Sequence, residues 1–313
     1  MIRIFKTEDG VIHQKDESEN GCWIALTNPT ATEILEVAEK YDIDPDHLKA
    51  PLDEEERSRI ETEDNYSLIL VDIPVIEERS KKDWYVTIPM GMIMANDVII
   101  TVCLEDSPVL TAFMDGRVRD FYTYMKTRFV LQVLYKNASL FLQYLRIIDK
   151  KSEMVERNLH KSQRNQELME LLELEKSLVY FTTSLRSNEV VLEKLLKSEK
   201  IKKYPEDTDL LEDVIIENKQ AIEMANIYSG ILNSTMDAVA SVISNNLNIV
   251  MKFLATITIV MSIPTMVSSF YGMNVNHVGM PFADSPWGFW IVVALSVALS
   301  GLVAWIFSKK NLF

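Results

Sequence analysis

The chain has 313 residues, 48% of them hydrophobic, and a net charge of −14, enough apolar material for one sizeable soluble domain and more. Setting Asp284 aside leaves 45 acids before residue 253, and setting Lys309 and Lys310 aside leaves 30 basic residues, a balance of −15 over that stretch. This sign is wrong for binding a phosphate backbone, which excludes nucleic acid as the expected partner, and it suits cations. Cys22 and Cys103 lack metal-ligand or CxxC spacing, and His13, His47, His160 and His277 are scattered, so neither a disulfide framework nor an imidazole metal site is expected. Met1–Phe5 leads straight into a polar, acidic stretch, so no cleavable signal peptide is expected.

Ile2–Phe5 and Cys22–Leu26 read as strands, and Pro29 opens a helix with Ile34, Leu35, Ala38 and Tyr41 at helical spacing. The run from Asp53 to Arg59 reads as a solvated turn or helix start. Tyr66–Ile76, Trp84–Met94 and Val98–Leu104 are strand-like, with Asn96-Asp97 as a tight turn between the last two. Residues 1–118 therefore form a cytoplasmic α/β domain with a largely antiparallel sheet. From Arg119 to Lys200 there is no Gly or Pro. One rod of that length would reach roughly 120 Å, so residues 119–204 are predicted to fold into antiparallel helices breaking near Ser162–Asn165. Pro205 ends this section, and Asp207-Thr-Asp starts a helix that only Gly230 and Pro264 interrupt before Phe270. The segment 205–270 is predicted as one helix, roughly 95 Å long, running from the cytoplasm into a membrane. Its stripe of Leu211, Ile215, Ile222, Ala225, Leu232, Met236, Val239 and Ile243 calls for cover from partner copies or from the preceding helices.

Residues 253–308 contain no Lys or Arg, and their one formal charge is Asp284. Two spans are predicted, about 251–270 and 287–308, each matching the roughly 20 helical residues that cross a bilayer core. Trp287, Trp290 and Trp305 sit at the ends of the second span, where amphipathic rings favour the interface. Lys252 precedes the first span and the tail 309–313 begins with Lys309 and Lys310, whereas loop 271–286 has no Lys or Arg. By the positive-inside rule both termini face the cytoplasm and the loop faces outward. Along the first span Asn248, Met251, Ala255, Thr258, Ser262, Thr265 and Ser269 are spaced 3, 4, 3, 4, 3, 4 and share one face, with Phe253, Ile257, Val260 and Val267 assigned to the opposite face. Periodicity alone leaves two readings: helix–helix packing, or a water-facing wall assembled from several copies. One hairpin cannot enclose a hydrated path, so a channel requires oligomerisation. The second span, with Leu, Val, Ile and Ala nearly all round, reads as an outer, lipid-facing helix.

Tyr271-Gly272-Met273-Asn274 stands between the spans. With that motif placed after a long helix, with two C-terminal spans, the basic end Lys309-Lys310-Asn-Leu-Phe, Trp23-Ile-Ala-Leu-Thr-Asn-Pro-Thr, and Ser244-Asn-Asn-Leu-Asn248-Ile-Val-Met251-Lys252, the chain resembles the CorA family of divalent-cation channels over essentially its full length. The resemblance implies an α+β/α membrane protein: a cytoplasmic α/β domain with a helical bundle, a very long stalk and pore helix, two transmembrane helices, and assembly as a homopentamer in the cell membrane. It implies a selectivity filter of Gly272, Met273 and Asn274, whose carbonyls would accept hydrogen bonds from the water shell that Mg²⁺ surrenders reluctantly. Gly272 would permit a close backbone approach, and Met273 would pack behind the ring. Asn248, Met251, Leu254 and Ala255 align with the pore constriction, continued by Thr258, Ser262, Thr265 and Ser269. Asp284 would concentrate cations at the mouth or cap the second span, and Glu77 and Asp213 align with acids that bind regulatory Mg²⁺ between neighbouring domains. Mg²⁺ is then both cargo and regulator, with no organic cofactor. Where the family commonly has Met-Pro in the pore helix, this chain has Ser262-Ile263-Pro264, which bears on ion preference and conductance. Other readings are transport of Co²⁺, Ni²⁺ or Zn²⁺, or a non-conducting divalent sensor. Met273, where the zinc-transporting branch usually carries Ile, implies Mg²⁺. No nucleophile–base constellation, P-loop or metal triad supports an enzyme.

Overall fold

A computed structural model of the chain describes residues 1–79, 82–162, 165–198, 204–274, 279–282 and 285–310. They fall into two units, Met1–Thr235 and Met236–Phe313.

The first unit is organised on a seven-stranded sheet of β1 (Ile2–Glu8), β2 (Val11–Lys15), β3 (Trp23–Thr27), β4 (Arg59–Thr62), β5 (Tyr66–Arg79), β6 (Lys82–Ala95) and β7 (Ile99–Cys103), in the order β2-β1-β3-β7-β6-β5-β4. Only β3 and β7 pair in parallel; the other ladders are antiparallel. Pro74 and Pro89 lie inside the long β5–β6 ladder, but each sits beyond the stretch where its strand has a second neighbour. A missing N–H costs least there. Beyond β4 the free edge of Asp72 is satisfied by two side chains: its amide donates to Asn188 Oδ1 at 2.8 Å, and its carbonyl accepts from the Asn137 and Asn188 amides at 2.8 Å each.

Alternation along β3 sends neighbouring side chains to opposite faces. Ile24 and Leu26 join Ile34, Val37, Ala38 and Leu48 of α1 (Ala31–Tyr41) and α2 (Pro45–Lys49) in one core. Trp23, fully buried, enters an aromatic cluster with Phe5 and Phe129 at 5.1 and 5.0 Å, and its indole N–H donates to Thr101 Oγ1 at 2.9 Å. α3 (Pro108–Met114) contributes Phe113, and α4 (Lys126–Ser162) and α5 (Asn165–Leu196) pack on β5 and β6. The Phe141–Phe181 contact at 5.1 Å and the shared grip of Asn137 and Asn188 on Asp72 show α4 and α5 running antiparallel.

Several expectations need correction. The first helix starts at Ala31, because Thr30 caps it in a reciprocal capping box with Glu33. β2 was not expected; Asp9 and Gly10, both at positive φ, turn β1 back into it. The run from Asp53 is a turn, one of its two readings, and leads into edge strand β4, while the helix expected from Arg119 begins at Lys126.

The long helix α6 (Pro205–Tyr271) is continuous through Gly230 and Pro264 and belongs to both units. Within the first unit its buried row is Leu211, Val214, Asn218, Ala221, Ala225 and Leu232. Val214 and Asn218 therefore replace the expected Ile215 and Ile222, which are half-buried, and Ile243 is exposed. The preceding helices supply cover, as the Asn218 amide donating to the Leu185 carbonyl at 3.1 Å illustrates. α7 (Gly288–Lys309) completes the second unit.

Candidate ion-conducting site

α6 and α7 each contain an apolar window long enough to cross a membrane, and only 6% of either window is buried. A core helix of a soluble protein would be mostly covered, so these surfaces are built for a different solvent.

Within the second unit the less exposed positions form one row on each helix. Over the apolar window of α6 they are Thr256, Val260, Ile263, Pro264 and Val267; on α7 they are Gly288, Val292, Ser296, Ser300, Val303, Ala304 and Phe307. Within the α7 row, Gly288, Val292, Ser296, Ser300 and Ala304 are spaced by fours and mostly small, the pattern that lets membrane helices approach closely, and the larger Val303 and Phe307 continue the row at its end. It was legible in the sequence and missed, so α7 is not uniform around its girth. Of the residues assigned to the face opposite the stripe, Val260 and Val267 fall in the less exposed row, whereas Phe253 and Ile257 are 47% and 39% exposed.

The stripe Asn248, Met251, Ala255, Thr258, Ser262, Thr265 and Ser269 is exposed throughout. Thr258, Ser262, Thr265 and Ser269 each stand two residues past a covered position, about 200° around the helix. They point away from the covered row and line one open groove. Three of the four hydroxyls are committed: Thr258 donates to the Leu254 carbonyl at 2.8 Å, Ser262 to Ile259 at 2.8 Å and Thr265 to Met261 at 3.2 Å. With each proton turned into the helix, the oxygen lone pairs are left to face outward, an acceptor surface for water molecules around a cation. Met251 and Leu254, 57% and 52% exposed, supply the apolar part of this surface at the other end.

α6 ends at Tyr271, and the Gly272 amide continues its pattern with a bond to the Ser268 carbonyl at 2.9 Å. Gly272, Met273 and Asn274 are exposed beyond that end. Gly272 is not in the left-handed region, and a Cβ there would meet the Ser268 carbonyl oxygen at 3.4 Å, an ordinary contact. One chain alone therefore does not require glycine at 272. The Tyr271 hydroxyl donates to the Pro281 carbonyl at 2.7 Å, and Gly288 lies so close to the Phe282 carbonyl that a Cβ would fall 2.2 Å from its oxygen. Both contacts shape the connection between the helices, and neither was foreseen. Asp284 lies outside the described residues.

In the first unit Glu77 is held by Arg79, whose Nε donates to it at 2.7 Å and whose guanidinium stacks 4.9 Å from the Trp84 ring. Burial, then the charges of Glu77, Glu54 and Asp106, raise the Glu105 carboxyl above its ordinary value, so Glu77 belongs to a local group of acids. Asp213 is exposed on α6. Among the described residues no hydrogen bond or ion pair joins Glu77 to Asp213.

A family model described as CorA-like Mg²⁺ transporter protein matches residues 18–310. The chain belongs to this family. Its family is one of transporters, not enzymes, and with two candidate spans the chain is a membrane protein. It is 27% identical over 298 residues to the cobalt/magnesium transport protein CorA of Methanocaldococcus jannaschii, covering 92% of this chain and 90% of that one. To the cobalt/magnesium transport protein CorA of Thermotoga maritima it is 22% identical over 317 residues, covering 99% and 89%. The complete structure of the CorA magnesium transporter from M. jannaschii matches with a TM-score of 0.87 at 24% identity, covering 100% of this chain and 99% of that one, and shares its fold.

Proposed function

We propose that the chain is the subunit of a homopentameric Mg²⁺ channel, with both termini in the cytoplasm and the loop between the spans outside. The observation that carries this reading is the exposed row of α6, in which the Thr258, Ser262 and Thr265 hydroxyl protons are turned inward and which ends at Gly272-Met273-Asn274. Five copies brought together on that row enclose a path lined by oxygen acceptors. Asn274 amide oxygens and Gly272 carbonyls ring its mouth and bind the water shell rather than the bare ion. The glycine is needed there for the approach of neighbouring copies, since nothing within one chain demands it. Asp284 raises the local cation concentration at the mouth. Rings of Met251 and Leu254 close the path by excluding water, flanked by Asn248 and Ala255.

A dication moving inward down about −100 mV gains about 4.6 kcal/mol, twice the ~2.3 kcal/mol per charge, so the membrane potential suffices as driving force without a chemical reaction or an organic cofactor. Internal Mg²⁺ bound between Asp213 of one copy and the acids around Glu77 of the next holds the assembly closed. Because the curated relatives are named for cobalt as well as magnesium, Co²⁺ is the second cargo to test. The test is reconstitution in liposomes containing a Mg²⁺-sensitive dye. Potential-dependent uptake supports the channel, and intact pentamers with no flux above empty liposomes would replace it with a non-conducting sensor.

A further inference from the structure

We propose that His47, Glu61 and Glu63 form a binding site for a first-row transition dication of the Co²⁺, Ni²⁺ or Zn²⁺ class, separate from the residues assigned to conduction. The scattered histidines gave no hint of it, because its members come together only when α2 packs beside edge strand β4. One donor atom from each of the three residues lies within 4.8 Å of the others, and His47 Nε2 is 3.0 Å from Glu61 Oε2. Glu61 and Glu63 are two residues apart and share a side of the strand. The Glu63 amide donates to the Tyr66 carbonyl at 2.9 Å, which extends the β4–β5 pairing far enough to hold it there. Donors 2.0–2.2 Å from one ion stand roughly 3–4 Å apart, so a small closure of these side chains completes the set.

The atoms behind the donors are already fixed. His47 Nδ1 lies 2.7 Å from the Tyr66 hydroxyl, which also accepts the Asp44 amide at 3.2 Å. The two lone pairs of that oxygen can take both N–H groups, which leaves Nε2 as the free lone pair. The Arg59 guanidinium holds Glu61 Oε1 and leaves Oε2 toward His47. A ligating imidazole anchored through its other nitrogen, beside an oriented carboxylate, is the usual support of a transition-metal site. The ion would sit between the His47 Nε2 lone pair and Glu61 Oε2, which stand 3.0 Å apart. One imidazole and two carboxylates suit Zn²⁺, Co²⁺ or Ni²⁺ and leave a position for water, whereas Mg²⁺ keeps its waters and has little use for nitrogen. Occupancy would pin α2 to the sheet edge, a response to transition ions that Mg²⁺ does not elicit.

The test titrates Co²⁺ into the detergent-purified full chain with millimolar Mg²⁺ in excess, reading visible absorption and melting temperature. Expected are about one Co²⁺ per chain with the absorption of an imidazole-containing site, and a melting temperature raised by Co²⁺ but not by further Mg²⁺. His47→Gln and Glu63→Gln should each weaken this binding about tenfold or more while melting like wild type in EDTA. Glu63 is exposed, so its variant keeps the test valid should His47→Gln perturb the fold. Equal Co²⁺ titrations for wild type and Glu63→Gln, or no Co²⁺ bound in excess Mg²⁺, would overturn the proposal whatever the outcome of the transport assay.

Discussion

The hydrogen bond from the Tyr271 hydroxyl to the Pro281 carbonyl, 2.7 Å long, ties the connection between the two spans back to the helix end that bears Gly272. Gly288 anchors the other side, where a Cβ would collide with the Phe282 carbonyl oxygen. Tyr271→Phe should therefore lower Mg²⁺ uptake severalfold with assembly unchanged. Gly288→Ala, which must displace backbone, should lower it further. Liposome uptake normalised to pentamer content measures both, and wild-type rates in the two variants would show that this loop does not position the filter.

Closure by internal Mg²⁺ should depend on Asp213 more than on Glu77. Asp213 is exposed, whereas Glu77 is already neutralised by Arg79. Asp213→Lys alone should shift Mg²⁺ protection of the long helix from limited proteolysis to concentrations about tenfold higher or abolish it, because it turns a bridging carboxylate into a repelling charge. Adding Glu77→Lys should weaken protection further. An unchanged titration in the double variant would remove both residues from the sensor.

Met251→Ser or Leu254→Ser should wet the constriction and raise flux at high internal Mg²⁺, since a strongly hydrated ion crosses a dry ring only at high cost. The control is Val260→Ser on the covered face of α6, which should reduce stability of the assembly without a leak. A leak from Val260→Ser, with Met251→Ser and Leu254→Ser remaining closed, would reverse the assignment of faces.

The buried strand edge at Asp72 makes a separate prediction. Burial raises its carboxyl above the ordinary value, opposed by hydrogen bonds from Ser184 and Ser58. A raised folded value means that the native state holds the proton more tightly. Its contribution is then fully favourable below the ordinary carboxylate value and is lost as pH climbs through the folded value. Thermal melts across mildly acidic pH should show this slope, and Asp72→Asn should flatten it. Asn188→Ala removes the partner of the Asp72 backbone amide, while Asn137 still serves the carbonyl, and should cost about 1–3 kcal/mol for the amide left unpaired. A pH-independent difference between wild type and Asp72→Asn would contradict the assignment.

Much of the architecture was legible because it rests on periodicity and composition. The long helix, the two spans, the three central strands and the stripe from Asn248 to Ser269 all follow from spacing that a single window reveals. What escaped depends on residues distant in sequence. β4 is short and polar, and only pairing with β5 makes it a strand. Val214 and Asn218 displaced Ile215 and Ile222 because the packing of α4 and α5, rather than apolar character, decides which row is covered. The His47, Glu61 and Glu63 cluster joins a helix to a strand edge across an irregular stretch, which spacing cannot encode. The α7 row from Gly288 to Ala304 is a different case: its spacing was visible, and the abundance of Leu, Val and Ile around it masked the small residues.

The central claim is that Asn274 meets hydrated Mg²⁺ in a potential-driven path. The most direct measurement is Mg²⁺ uptake into liposomes holding wild type or Asn274→Ala at equal pentamer content, with an inside-negative potential imposed or collapsed. The account predicts uptake by wild type that falls when the potential is collapsed, and uptake by Asn274→Ala no faster than that of empty liposomes. Wild-type rates in Asn274→Ala, or wild-type uptake indifferent to the potential, would contradict it.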